Sequence, residues 1–370
     1  MHTKNKFFLN KQEFEYRTRA ALVWLKKSFT VNKGNGSSAY YTQLWKPFGW
    51  TLAYPETTGY IIETLLDYDQ LYPEMRLKEY ALQAADWICS LQLDGGAFPG
   101  GLVNSKDPGV FNTGQMIIGL ICAYELTGNT KYYQAFKQAV YWLINNLEKD
   151  GSWTVGAYIK NYVPSYYTRV VWSVLWANKH IGDPNIQNKM KLALDFYRKR
   201  ETEKRTVSDW SFRKGQKAFT HTIAYTIRGF YESSLCINDS EINSFTISLA
   251  HKLLSLREIK GKLAGWYDEK WKGDYWFTCL TGNCQIAIIF CRIYEQIGDV
   301  RYLNVALKIF DDILPYQKLK GGINKKGALA GSAPFFGRYI AFRYPNWATK
   351  FFLDAYRLLY IHVNQLEEKV

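Results

Sequence analysis

Metal-ligand patterns are missing from this sequence. Its six cysteines (Cys89, Cys122, Cys236, Cys279, Cys284 and Cys291) form no CxxC pair and no Cys/His cluster at ligand spacing, so nothing points to a zinc site. They sit mostly inside apolar helical runs and read as reduced core thiols. No metal and no cofactor is expected. Histidine is scarce, with five in 370 residues. No apolar run reaches membrane-spanning length, and the N-terminal MHTKNKFFLNKQEFEYRTRA lacks the apolar core of a secretory signal. A cytoplasmic protein without a transmembrane segment is therefore expected. Basic residues outnumber acidic ones by 47 to 33, for a net charge of +14, yet no Lys/Arg run of the nucleic-acid kind occurs. The charges are dispersed over solvated faces such as Lys189–Arg200. No specific nucleic-acid partner is expected; a field of that sign favours another polyanion, such as an acidic polysaccharide.

Aromatic residues, by contrast, are abundant: 28 Tyr, 21 Phe and 13 Trp make up 17% of the chain. Tyr and Trp combine a flat apolar face with a polar edge, which suits contact with sugar rings.

The organising stretch is Asn112–Trp153, NTGQMIIGLICAYELTGNTKYYQAFKQAVYWLINNLEKDGSW. Ile118, Leu120, Ile121 and Tyr124 recur at helical spacing; Thr127-Gly128-Asn129 then stops that helix, because Gly and Asn tolerate a left-handed turn. A second helix follows, carrying Phe136, Val140, Trp142 and Leu143. The unit recurs. QIAIIFCRIYEQIGD from Gln285 aligns with QMIIGLICAYELTGN without a gap, and RVVWSVLWANKHIGD from Arg169, YTIRGFYESS from Tyr225, WATKFFLDAY from Trp347 and YIIETLLDYD from Tyr60 supply the rest. The anchors stand 54 to 62 residues apart. Six helical hairpins at a near-constant period imply a repeat architecture. The unpaired first helix, Glu13–Phe29, and the leftover last one, from Trp347 to about Val363, complete each other. The expectation is an all-α (α/α)6 toroid, with residues 1–370 as one domain.

In such a ring the inner helices all start at one rim. Long Gly- or Trp-bearing loops precede them, while the inner-to-outer connections are short, so the long-loop side is the expected functional side. Reading across the rims gives Tyr54-Pro55-Glu56; Asn112 and Gln115; Tyr166, Tyr167 and Arg169; His221 and Tyr225; Asn283 and Gln285; Arg343, Asn346 and Trp347. Long polar groups there must satisfy one another or face a wet cavity; the cavity is the expectation. His221 and Tyr225 are the candidate acid–base pair, with Tyr167 and Arg169 as partner and carboxylate anchor, Arg169 being expected to lower a phenol pKa. Asn112, Gln115, Tyr166, Asn283, Gln285, Asn346 and Trp347 are the candidate binding residues. A Tyr/His base, an Arg or Asn neutraliser and an aromatic platform are what β-elimination or C5-epimerisation of a uronic acid requires. Hydrolysis needs two carboxylates across the scissile bond. Glu56, Asp107, Asp209 and Asp268 are on the long-loop side, but no two share a motif.

WICSLQLDGG and YWLINNLEKDGSW resemble the Gln-Trp-type repeats of terpene cyclase and prenyltransferase toroids. The acidic motif of those cyclases and the zinc ligands of the prenyltransferases are absent. FNTGQMIIGLICAYELTG, YYTRVVWSVLWA and THTIAYTIRGFYES look like an α/α-toroid family encoded in bacterial surface-polysaccharide clusters, similar in fold to polysaccharide lyases, unsaturated glucuronyl hydrolases and glucuronyl epimerases. In that family an Asp is expected where Asn112 stands. The resemblance implies an enzyme of capsule or O-antigen metabolism acting on an acidic oligo- or polysaccharide or a lipid-linked sugar. Proton abstraction of the lyase or epimerase type is favoured over hydrolysis. The competing readings are a glycan-binding protein working with polysaccharide assembly proteins, and an isoprenoid-binding protein.

Overall fold

The computed structural model describes residues 10–44 and 48–367. Among the described residues, twelve α-helices alternate between an inner and an outer ring. The outer helices are α1 (Lys11–Thr30), α3 (Leu77–Ser90), α5 (Thr130–Asn145), α7 (Pro184–Arg198), α9 (Ser240–Lys260) and α11 (Val300–Ile313). The inner ones are α2 (Pro55–Asp69), α4 (Val110–Thr127), α6 (Thr168–Ile181), α8 (Thr220–Ile237), α10 (Leu280–Ile297) and α12 (Asn346–Glu367). Each inner helix packs on the next, α12 packs on both α10 and α2, and α1 packs on α12. The ring is closed, and the protein is an all-α (α/α)6 toroid.

The inner helices are buried nearly all round, which explains their apolar runs: every residue from Val110 to Ile121 is buried. Close approach between them depends on glycine. A Cβ on Gly119 would stand 2.2 Å from the Gly59 carbonyl oxygen, and one on Gly229 would stand 2.4 Å from the Arg169 amide nitrogen. The outer helices are amphipathic and cover this ring with one face only, as the alternation of buried and exposed positions along α11 shows.

Inner-to-outer turns are two residues long in four units. Gly128, Gly182, Asn238 and Gly298 end their helices in the left-handed region, and Asn129, Asp183, Asp239 and Asp299 immediately cap the next helix with a side-chain oxygen. At the opposite face, long loops carry short antiparallel strands. Strand β1 (Tyr40–Thr42) pairs with β2 (Gly49–Trp50) and with β8 (Arg343–Pro345), joining the first loop to the last. Strands β3 (Ala218–Phe219), β4 (Trp266–Tyr267) and β5 (Gly273–Asp274) form a second sheet, and β6 (Thr278–Cys279) pairs with β7 (Ser332–Ala333). Ion pairs inside the ring tie its ends: Lys350 of α12, fully buried, lies 3.3 Å from Glu63 of α2 and also bonds Asp354. No helix among the described residues is long and apolar enough to cross a membrane.

Candidate active site

The inner-helix N-termini open onto a cavity of about 420 Å³, a size typical of small-ligand sites. Its walls are largely aromatic. Tyr54, Tyr60, Phe111, Tyr166, Tyr225 and Trp347 come from the helix starts, while Tyr158, Phe212 and Tyr339 reach in from three different loops. The polar groups among them are few: Glu56, Thr57, Asn112, Arg213, Gln216 and His221.

Glu56 is the only carboxylate among the described lining residues. Pro55 fills the first position of α2, where a missing N–H costs nothing, and Glu56 follows it in the first turn. Two donors hold its side chain. The Tyr54 hydroxyl donates to Oε2 at 2.6 Å, and Asn112 Nδ2 donates to the same oxygen at 3.1 Å, so neither occupies Oε1. Burial raises the Glu56 pKa to about 7, against the opposing pulls of the Tyr54 bond and of Arg169. A carboxyl that titrates there exchanges protons readily at neutral pH. Asn112 owes its fit to a glycine: a Cβ on Gly109 would stand 2.6 Å from its Oδ1. An Asp at 112 would set a second carboxylate against Glu56, whereas the amide gives it a donor.

His221, the second residue of α8, is buried beside Tyr225, with ring centroids 4.2 Å apart. Gln285 Nε2 donates to its Nδ1 at 2.6 Å, which leaves the ring proton on Nε2. Burial first, then the Arg169 charge, lowers its pKa to about 3, so the imidazole is neutral and a hydrogen-bond donor across the ordinary pH range. The Tyr225 hydroxyl is also a neutral group: burial pushes its pKa up, and Arg169 only partly offsets this. Tyr167 behaves likewise, raised to about 12 by burial. Proximity to Arg169 was expected to activate a phenol; desolvation outweighs it.

Of the candidate catalytic and binding residues, Asn112, Tyr166, His221, Tyr225 and Trp347 line the cavity, as do Tyr54 and Glu56 of the rim reading. The others lie behind it. Arg169 is fully buried beneath the floor. Its Nε donates to Gln115 Oε1 at 2.5 Å, and its guanidinium carbon lies 4.9 Å from the Tyr225 ring centroid, 5.0 Å from that of Trp172 and 5.8 Å from that of Tyr60. The ring quadrupoles partly replace lost hydration. The long polar side chains expected to face the cavity bond one another instead, Arg169 to Gln115 and Gln285 to His221, while both terminal guanidinium nitrogens of Arg169, Gln115 Nε2 and Gln285 Oε1 are left without a hydrogen-bond partner. Tyr167 receives the Tyr158 amide on its hydroxyl at 3.4 Å and stacks on Phe111 rather than meeting Arg169. Asn283 is buried outside the lining. Asn346 donates to Ser37 at 2.8 Å and to Thr57 at 2.9 Å, tying α12 to the first loop and to α2. Trp347 donates to the Tyr339 hydroxyl at 2.8 Å, which fixes both rings in the wall.

Asp107, Asp209 and Asp268 are not in the lining. Asp268 caps a turn through the Lys270 and Lys272 amides, and Asp209 faces Arg200 at 3.8 Å. No group of three or more His, Cys, Asp or Glu side chains is placed to hold a metal among the described residues.

No protein-family model matches the chain, and no curated protein matches it in sequence. Solved structures match it along nearly its whole length. An unsaturated glucuronyl hydrolase specific for heparin aligns with a TM-score of 0.73 and 15% identity, covering 94% of this chain and 97% of that one. Cellobiose 2-epimerase from Bacillus thermoamylovorans B4167 gives 0.73 and 13%, over 95% and 99%. An α-amylase from Clostridium perfringens gives 0.68 and 13%, over 92% and 97%. The chain shares their fold. At these identities the shared toroid locates a cavity but assigns no chemistry to it.

Proposed function

We propose that this toroid is an enzyme that takes an anionic glycan into its aromatic cavity and moves a proton at a sugar ring carbon, with Glu56 as acid and base. The observation that carries the reading is the Glu56 carboxyl, raised to about 7 and surrounded by neutral donors. In a uronic acid the hydrogen on C5 is acidified by the neighbouring carboxylate. Ionised Glu56 accepts that proton on Oε1. The Nε2–H of His221 and the Tyr225 hydroxyl donate hydrogen bonds to the charge that develops on the substrate carboxylate. Expulsion of the C4 oxygen, which takes the proton back from the Glu56 carboxyl as it leaves, then completes an elimination; delivery of a solvent proton to the opposite face of C5, with Glu56 releasing the one it took to solvent, completes an epimerisation. Two-carboxylate hydrolysis is disfavoured because Glu56 has no carboxylate partner among the described lining residues.

An anionic substrate is supported by the net charge of +14 and by Arg213 at the mouth. That nine of the lining side chains are aromatic supports a sugar, and the likeness of the Asn112 and Arg169 stretches to surface-polysaccharide toroids supports a bacterial surface glycan, free or lipid-linked. Incubation with uronate oligosaccharides, followed by ultraviolet absorbance and mass, tests the reaction. A new unsaturated-uronate band identifies elimination, and deuterium uptake without mass change in ordinary water identifies epimerisation. Gain of a water mass on a saturated substrate would overturn the proton-transfer reading, and tight binding without turnover or exchange would leave a glycan-binding protein.

A further inference from the structure

Large aromatic rings continue out of the cavity onto the surface at one side of its mouth. Phe212, in the lining, stands 6.1 Å from Phe219; Phe219 stands 5.4 Å from Trp266, and Trp266 stands 5.5 Å from Phe277. Phe277 carries Trp276 at 6.2 Å, and Trp276 carries Phe336 at 5.8 Å. Exposure varies along the row: Phe212 is 36% exposed, Phe219 and Trp266 are half-buried, Phe277 is buried and backs the outer pair, and Trp276 and Phe336 are 55% and 52% exposed. Three separate loops supply these rings, held in place by the β3–β4–β5 and β6–β7 pairings. The Asp274 carboxylate is used locally, accepting the Trp276 amide at 3.0 Å. Two cations meet at the middle of the row, over one ring. Arg338 and Lys217 lie 4.9 Å and 5.7 Å from the Trp266 ring centroid.

Exposed rings on several independent loops, converging on one strip, mark a binding surface rather than a packing remainder. We infer that this strip is an outer subsite track for an anionic oligosaccharide whose terminal ring occupies the cavity. The inference rests on the reading of the cavity as a glycan site and deepens it. Three features select the occupant. Flat apolar rings with two cations among them at Trp266 suit a chain of sugars bearing carboxylate or sulfate groups. The cavity is floored by Tyr60 and Tyr225, with Arg169 buried beneath, so a polymer enters and leaves by the mouth alone. Rings and cations of this kind also suit single-stranded nucleic acid, but the chain carries no Lys/Arg run of the nucleic-acid kind.

The test titrates chondroitin oligosaccharides, from disaccharide to octasaccharide, against the full chain by calorimetry. The readout is the ratio of disaccharide to hexasaccharide Kd. It is expected to be roughly ten for the natural sequence and to fall towards one in the Trp276→Ala/Phe336→Ala double variant, whose exposed sites allow truncation without a core cavity. Glu56→Gln is expected to keep the ratio. A ratio near one for the natural sequence, with the disaccharide bound, overturns the track and leaves the cavity reading standing. Failure of every length to bind overturns both. A twelve-residue oligothymidylate that binds more tightly than the hexasaccharide, and loses affinity in the double variant, overturns the track as a glycan site.

Discussion

Glu56 shows how a single carboxyl couples chemistry to stability. Its native pKa of about 7 lies above the ordinary value of 4.5, so the folded chain holds a proton that the unfolded chain releases first. Between those two values the native state binds more protons, and stability falls as pH rises. Glu56→Gln removes that penalty. It is expected to stabilise the protein by about 3 kcal/mol at pH 8 and to have little effect at pH 4, as chemical denaturation at the two pH values would show. The same variant is expected to lose roughly 100-fold or more in turnover and to abolish an activity limb near pH 7. His221→Gln should lower the rate yet leave that limb in place, because His221 is already neutral there; a limb that vanished with it would transfer the titration to His221. These roles were only partly legible in the sequence. His221 and Tyr225 stood out as polar residues at the start of an apolar helix. Glu56 was visible at an equivalent rim, but the burial that lifts its pKa depends on how the whole ring packs around it. Arg169, Gln115 and Gln285 were legible as too polar for a buried helix, yet which of them face the cavity and which face one another is decided by tertiary packing.

The inner helices were read correctly because their code is local and repeated: apolar runs closed by Gly and then Asn or Asp. The same glycine can nevertheless mean two things. Gly298 ends α10 at φ 72°, with nothing within 4 Å of an added Cβ, so Gly298→Ala meets backbone strain alone, on the order of 1 kcal/mol. Gly119, in regular helix, faces the Gly59 carbonyl oxygen, so Gly119→Ala must push α4 off α2 and is expected to cost about 1–3 kcal/mol, measured by denaturant unfolding. If the two costs came out in the reverse order, helix separation would not be set by these glycines. The loop strands left no comparable trace. Two- and three-residue strands such as β1 and β8 pair across 300 residues, and no window of sequence holds both partners. For the same reason Tyr158, Phe212 and Tyr339 escaped notice as cavity walls.

For the molecule as a whole, the ring depends on a seam between its ends. Lys350 on α12 is fully buried between Glu63 on α2 and Asp354, so losing its charge strands two carboxylates. Lys350→Met is expected to cost on the order of 3–5 kcal/mol, more than removal of an exposed pair such as Lys131–Asp86, and thermal unfolding of Lys350→Met against Lys131→Met would show the difference. The floor that this ring encloses has a further consequence. Under the proposed reading, with a terminal ring filling the cavity, such a site would work at chain ends and not at mid-chain. A long acidic polymer would then keep its viscosity while end products accumulate from the first minutes, and cutting the same mass of polymer into shorter pieces would raise the rate in proportion to the number of ends.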